Sequence, residues 1–202
     1  PQLELYRTLG MIEDVLLSHQ YEFINLSLGP DMPVEDDEVH AWTSVIDEKL
    51  ADGMTFMAVA AGNNGGLDWE TGNARIEVPA DCVNAVSVGA ATSEEDVMWT
   101  SAPYSAIGPG RRPGYVKPDL MAFGGSADNY FHVLSRGKGS FIVPVLGTSF
   151  ATPYLLRMAV GIRAYLGDAL SVLAIKAMLI HCANDNHLDI REVGWGKVPS
   201  AL

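Results

Sequence analysis

Apolar residues recur at spacings of three and four between residues 3 and 17, at Leu5, Leu9, Ile12, Val15 and Leu16, which predicts an amphipathic helix. Tyr21 to Gly29 reads as a strand that closes on a Gly-Pro turn. Helical spacing returns from Val34 to Leu50, with Val39, Trp42, Val45, Ile46 and Leu50 on one face. The acidic run Glu35 to Glu38 then falls near that helix's N-terminus, where negative charge suits the dipole. Thr55 to Ala61 is continuously apolar, as expected of a strand buried on both faces. Ala85 to Val88 and Asp119 to Ala122 predict two more short strands, separated by a Pro- and Gly-rich loop. Tyr130 to Leu134 and Phe141 to Val145 flank Arg136-Gly137-Lys138-Gly139 and predict a hairpin. Two helices follow, Thr148 to Tyr165 and Ser171 to His181, the second capped by Ser171. Gly194 to Val198 forms a short tail. Early alternation of helix and strand makes the class α/β, with a mostly parallel sheet flanked by helices.

Composition narrows the function. The chain has 202 residues and 48% hydrophobic content, enough for one domain with a real core. Its net charge of −12 makes it a poor partner for nucleic acid or an anionic membrane. No apolar run approaches the length needed to span a bilayer. The two cysteines, Cys82 and Cys182, cannot build a disulfide framework, which favours a reducing, cytoplasmic setting.

Three segments carry candidate chemistry. Ala60-Ala61-Gly62-Asn63 follows a buried strand, where α/β sheets gather ligands, and the Asn63 amide there can donate to a developing oxyanion. Gly147-Thr148-Ser149-Phe150-Ala151-Thr152-Pro153 places Ser149 at a helix N-terminus, with a positive dipole and free backbone N–H groups beside its hydroxyl. Phe23-Ile24-Asn25-Leu26-Ser27-Leu28-Gly29 is a strand with an open polar end. Each alone reads equally as a turn, a helix cap or a strand.

Their order and spacing resemble the subtilisin-like (subtilase) serine proteases. Val86-Ser87-Val88-Gly89-Ala90, Lys117-Pro118-Asp119-Leu120-Met121-Ala122 and Gly194-Trp195-Gly196-Lys197-Val198 fit the same family. The resemblance implies that Ser149 is the nucleophile and that Asn63 and the Ser149 N–H form the oxyanion hole. It implies that Ser27, Leu28 and Gly29 pair with the substrate backbone, and that Ala60, Ala61 and Gly62 wall the primary specificity pocket. It also implies a cis Val78–Pro79 bond with Glu77 at the pocket floor, and hence a preference for a basic residue before the scissile bond. Glu77 turning to solvent or pairing with Arg75 is the bland alternative, and a register one residue earlier puts Ile76 there and predicts an apolar preference.

The family's Asp-x-Gly and His-Gly-Thr motifs are absent, and none of the five histidines precedes a glycine. The expectation is therefore the C-terminal part of a subtilase catalytic domain over residues 1–202, lacking the N-terminal strands and the catalytic Asp and His. Such a piece should be inactive alone, have a polypeptide substrate and the missing N-terminal half of the same domain as partners, and self-associate through an exposed strand edge and a partly bare helix face at Leu155, Met158, Ala159 and Ile162. Arg157 stands where the family has a glycine that permits close packing. Calcium is common in the family, but no acidic spacing assigns a site. Rivals fail on spacing: Ala151 breaks the Gly-x-Ser-x-Gly elbow, no phosphate loop is complete, and His-Glu-x-x-His is missing. The remaining alternative is a degenerate subtilase-fold binding scaffold without catalysis.

Overall fold

The structure, a computed structural model, describes residues 2–135 and 141–201. Helix α1 (Gln2–Leu17) leads to strand β1 (Phe23–Leu26), helix α2 (Ala41–Leu50), and strands β2 (Phe56–Ala60), β3 (Val86–Ala91) and β4 (Leu120–Phe123). Strands β5 (Phe131–Leu134) and β6 (Ile142–Val145) precede helices α3 (Thr148–Leu166), α4 (Val172–Cys182) and α5 (Ile190–Val193). The first four strands form one parallel sheet in the order β1-β2-β3-β4. Strands β5 and β6 form a separate antiparallel pair, and the predicted Arg136–Gly139 turn between them lies outside the described residues.

Strand β2 shows why three layers form. Phe56 and Ala58 point into one apolar cluster with Leu155, Ala159 and Ile162 of α3 and Ile175 and Leu179 of α4. Met57 and Val59 point into the other, with Leu9 and Leu16 of α1 and Trp42, Ile46 and Leu50 of α2. Period-two alternation on a strand apolar throughout thus demands a helical layer on each face. Helix α3 packs against all four strands of the parallel sheet.

Three expectations need correction. Helix α2 starts at Ala41, not Val34, because Val34 N–H donates to Ile76 O at 2.9 Å and ties that stretch to another loop. His40 caps the helix instead, its Nδ1 accepting from Trp42 N–H at 3.2 Å, and the acidic run lies outside the helix, where Asp36 pairs with Arg75 at 3.0 Å. The apolar face of α3 is not bare, since Leu155, Met158, Ala159 and Ile162 are all buried. Arg157 does not disturb that packing: it faces outward, stacks over Tyr154 at 4.6 Å and reaches Ser200 O. The Val78–Pro79 bond is cis.

Buried ion pairs lock the loops around the sheet. Asp119 accepts from Lys117 Nζ at 2.6 Å and from Ser87 N–H and Oγ, and Lys117 also donates to Cys82 O. Asp81 accepts from Thr43 and from Arg111. Burial pushes the Cys82 thiol well above its usual range, so it behaves as a small core residue, whereas Cys182 is exposed. Among the described residues, no helix is long and apolar enough to cross a membrane.

Candidate active site

Strand β2 ends at Ala60, and the chain turns through Gly62 at φ +115°, a conformation that favours glycine. The turn brings Asn63 against the N-terminus of α3. Asn63 Oδ1 accepts from Thr148 N–H at 2.9 Å and Thr148 Oγ1 at 3.1 Å. With its oxygen held, the Asn63 amide is left with Nδ2 as a donor, and Asn63 is exposed to the cleft. Ser149 is the next residue, in the first turn of α3, half-buried on the same cleft. A serine hydroxyl and an amide donor therefore share one fixed frame, beside the positive end of a 19-residue helix.

Pro153 adds a second tie. It sits inside α3 and has no N–H, so it cannot pair with the carbonyl four residues earlier, which is Ser149 O. Ser27 Oγ donates to that carbonyl at 3.2 Å, and Asn25 Nδ2 donates to Ser27 Oγ at 2.9 Å. The segment after β1 is thus bonded to the helix turn that bears Ser149.

A cavity of about 110 Å³ opens beneath Ser149. Ser27, Leu28 and Gly29 border it on one side, and Ala60, Gly62 and Asn63 on the other. Ala61 does not line it: the alternation of β2 turns its side chain into the α1–α2 core. Glu77 lies at the base, its N–H bonded to Ala61 O at 2.8 Å. Its carboxylate covers Gly62 so closely that a Cβ there would fall 2.6 Å from Oε2. Burial, reinforced by the charge of Asp31 and a hydrogen bond with it, raises the Glu77 carboxyl to about 7, against a small opposing effect of the Asn63 N–H. Arg75 is not its partner, being committed to Asp36 and to the carbonyls of Pro109 and Gly110. Ile76 is fully buried in the core, away from the cavity. A larger cavity of about 610 Å³ lies elsewhere, beside Trp69, where Arg191 stacks and closes on Asp189.

Three contributors escaped the sequence. Thr148 anchors Asn63. Asp31, at φ 57°, faces Glu77 from the loop after β1. The Tyr104 hydroxyl shares its proton between Gly124 O at 2.9 Å and Gly125 O at 2.7 Å, and accepts from Gly147 N–H at 3.0 Å. Burial raises that phenol to about 12. Tyr104 thereby fixes the residue that precedes the α3 turn, and nothing in its sequence surroundings marks it for that task.

Among the described residues, no histidine lines the cavity. His40 caps α2, His19 lies 3.8 Å from Asp52, and His132, His181 and His187 are exposed. Nor do three His, Cys, Asp or Glu side chains gather as metal ligands among the described residues. The carbonyls of Cys82, Val83 and Ala85 accept from the ammonium groups of Lys117 and Lys176.

Comparison with known proteins identifies the family and the fold. The profile of the subtilase family, Peptidase_S8, matches residues 1–196. No curated protein sequence matches the chain significantly. Among solved structures, a lanthipeptide protease is similar at 20% identity and TM-score 0.71, over 96% of this chain and 64% of that one. The PatG macrocyclase in complex with peptide is similar at 18% identity and TM-score 0.71, over 95% and 53%. The epidermin leader peptide processing serine protease EpiP of Staphylococcus aureus gives 18% identity and TM-score 0.70, again over 95% and 53%. The chain spans only 53–64% of the length of these three structures. At such identities the likeness speaks for the fold.

Proposed function

The chain belongs to the subtilase family, and on that footing we propose that it supplies the nucleophile and oxyanion hole of a serine endopeptidase. The observation that carries this is the shared frame of Ser149 and Asn63, joined through the 2.9 Å bond from Thr148 N–H to Asn63 Oδ1. The similar structures include a macrocyclase in complex with peptide and a leader-peptide processing protease, which supports a polypeptide substrate here.

In the proposed reaction, Ser149 Oγ attacks a peptide carbonyl while a general base takes its proton. The carbonyl oxygen becomes an oxyanion, held by Asn63 Nδ2 and the Ser149 N–H. The C–N bond breaks as the base returns the proton to the leaving amine, leaving an ester on Ser149. Water, deprotonated by the same base, releases the acid and restores the hydroxyl. Ser27, Leu28 and Gly29 hold the substrate backbone in a strand-like pairing. The base comes from a segment outside these 202 residues. The absence of a histidine from the cavity lining, among the described residues, supports this, as does the partial coverage of similar structures.

Labelling with a fluorophosphonate, alongside hydrolysis of a chromogenic peptide, tests the proposal. The 202-residue chain should label slowly and turn nothing over. The same chain within a complete catalytic domain should label stoichiometrically at Ser149 and cleave peptide, and Ser149→Ala should abolish both. A complete domain that binds peptide but neither labels nor cleaves is a scaffold, and sinks the proposal.

A further inference from the structure

The cleft beside Trp69 connects to the cavity beneath Ser149 through a third cavity of about 510 Å³. That middle cavity shares Asn63 with the one beneath Ser149, and Leu67 and Pro103 with the Trp69 cleft. Residues 101–109 form the base of the cleft. The loop 64–75 is laid on that base by the bond from Gly65 N–H to Tyr104 O at 2.9 Å and by the pairing of Arg75 with Ile107. A Cβ at Gly65 would strike Ser105 O, so this approach needs a glycine. Asp189, Arg191 and Glu192 form another wall, tied to the base where Gly108 N–H donates to Arg191 O at 2.6 Å. Leu67 and Trp69 stand on the loop wall, 59% and 61% exposed. The loop holds them in place: Asn64 Nδ2 donates to Asn73 O and Arg75 O, both at 2.7 Å, Asp68 accepts from Glu70 N–H, and Gly72 N–H donates to Trp69 O. Most charges in the lining are already matched. Arg75 pairs with Asp36, and Arg191 pairs with Asp189 and lies 5.7 Å from the centre of the Trp69 ring. Glu192 is the remaining ionisable group of the lining, without an ion pair among the described residues.

We infer that the Trp69 cleft is a remote docking site for the leaving half of the polypeptide substrate, taking an apolar side chain from about the fourth to sixth residue beyond the cleaved bond. This rests on the peptidase function proposed above and extends its substrate past the reacting bond. Of the three cavities, Ser27, Leu28 and Gly29 border the one beneath Ser149 alone. With the acyl half of the substrate along those residues, the amine half leaves Asn63 through the middle cavity. A cavity of 510 Å³ is about 10 Å across, the span of roughly three extended residues. The chain then passes Leu67 and Pro103 and comes to Trp69. An exposed tryptophan on a fixed loop is suited to anchor a partner, because binding need not order it first. With its arginines already paired and Glu192 left over, the cleft favours an aromatic or aliphatic side chain and opposes an acidic one.

Two arms test this and separate it from the peptidase proposal. In the first, the 202-residue chain is titrated with Ala-Ala-Ala-Phe-Leu-Ala amide, Ala-Ala-Ala-Asp-Asp-Ala amide and Ala-Ala-Ala amide, and the indole N–H resonance of Trp69 is followed. The first peptide should bind about tenfold or more tightly than either of the others. Trp69→Ala, followed at the Leu67 amide, should remove that advantage, and Leu67→Ser should reduce it about threefold. The titration of the unmodified chain decides the matter even if a variant fails to fold. Equal binding of the three peptides, or a Trp69 resonance that does not move, overturns the inference. In the second arm, the complete domain cleaves two peptides that are identical up to the third residue beyond the cleaved bond, where one stops and the other continues as Phe-Leu-Ala. The longer peptide should show a kcat/KM about tenfold higher, and Trp69→Ala should bring the ratio close to one. A ratio of one in the unmodified domain overturns the inference and leaves the peptidase standing. No cleavage of either peptide, with binding at Trp69 intact in the first arm, overturns the peptidase and leaves the cleft standing as a polypeptide site.

Discussion

Replacing Glu77 by glutamine should stabilise the chain at alkaline pH and leave it unchanged in acid. The folded protein holds the Glu77 proton up to about pH 7, whereas the unfolded chain releases it near 4.5. Between those values the native state binds more protons than the unfolded state, so stability falls as pH rises across that window and the cost is complete above it. At 1.36 kcal/mol per pH unit the full effect is about 3.4 kcal/mol. Glu77 is only half-buried, and solvent screening reduces this to about 1–2 kcal/mol. Glutamine keeps the shape and loses the charge. Urea unfolding followed by tryptophan fluorescence suits the measurement, because Trp42 and Trp99 are nearly fully buried. At pH 8 the variant's midpoint should rise by roughly 0.5 M, for a slope of ~2–3 kcal/mol/M, and at pH 4.5 the two midpoints should coincide. A gain of the same size at both pH values would show that the carboxylate's burial is not its cause.

In a complete domain, Asn63→Ala should lower kcat about 10²–10³-fold with little change in KM, the loss known for the corresponding donor of subtilisin; an unchanged kcat would remove Asn63 from the oxyanion hole. Lys117→Met should cost about 3–5 kcal/mol in urea unfolding, because it strands the buried Asp119 carboxylate without its cation, and a cost below 1 kcal/mol would mean that the pair is not isolated from water. Strand β1 pairs only with β2 among the described residues, so the chain should form concentration-dependent assemblies by light scattering, and a monodisperse monomer at high concentration would count against an open edge.

The sheet was legible because its strands are short apolar runs bounded by Gly, Pro and Asn, and because α3 and α4 carry long periodic faces. The start of α2 was not, since Val34 keeps the helical spacing while its N–H is drawn to Ile76, a contact 42 residues away that no local pattern encodes. Four-residue α5 is too short for any periodicity to show. At the site, Ser149, Asn63 and Ser27 stand in recognisable strings, and the structure gathers them at one cavity. Ala61 belongs to such a string, yet strand alternation sends it to the opposite face. Asp31 and Tyr104 act through long-range placement, and an aspartate after Gly-Pro or a tyrosine in a proline-rich loop looks like an ordinary turn residue.

The bond from Ser27 to the Ser149 carbonyl has a consequence for when the site comes into being. It joins positions 122 residues apart, and the Thr148–Asn63 bond joins positions 85 apart. Contacts so distant along the chain form only after the intervening polypeptide has collapsed and its strands have paired. Helix α3 can wind early, but Pro153 has no N–H to give the Ser149 carbonyl, which gains a donor only when Ser27 is seated beside it. The arrangement of Ser149, Asn63 and Ser27 at one cavity is thus a late product of folding, and a newly made or partly unravelled chain carries these residues without their shared frame.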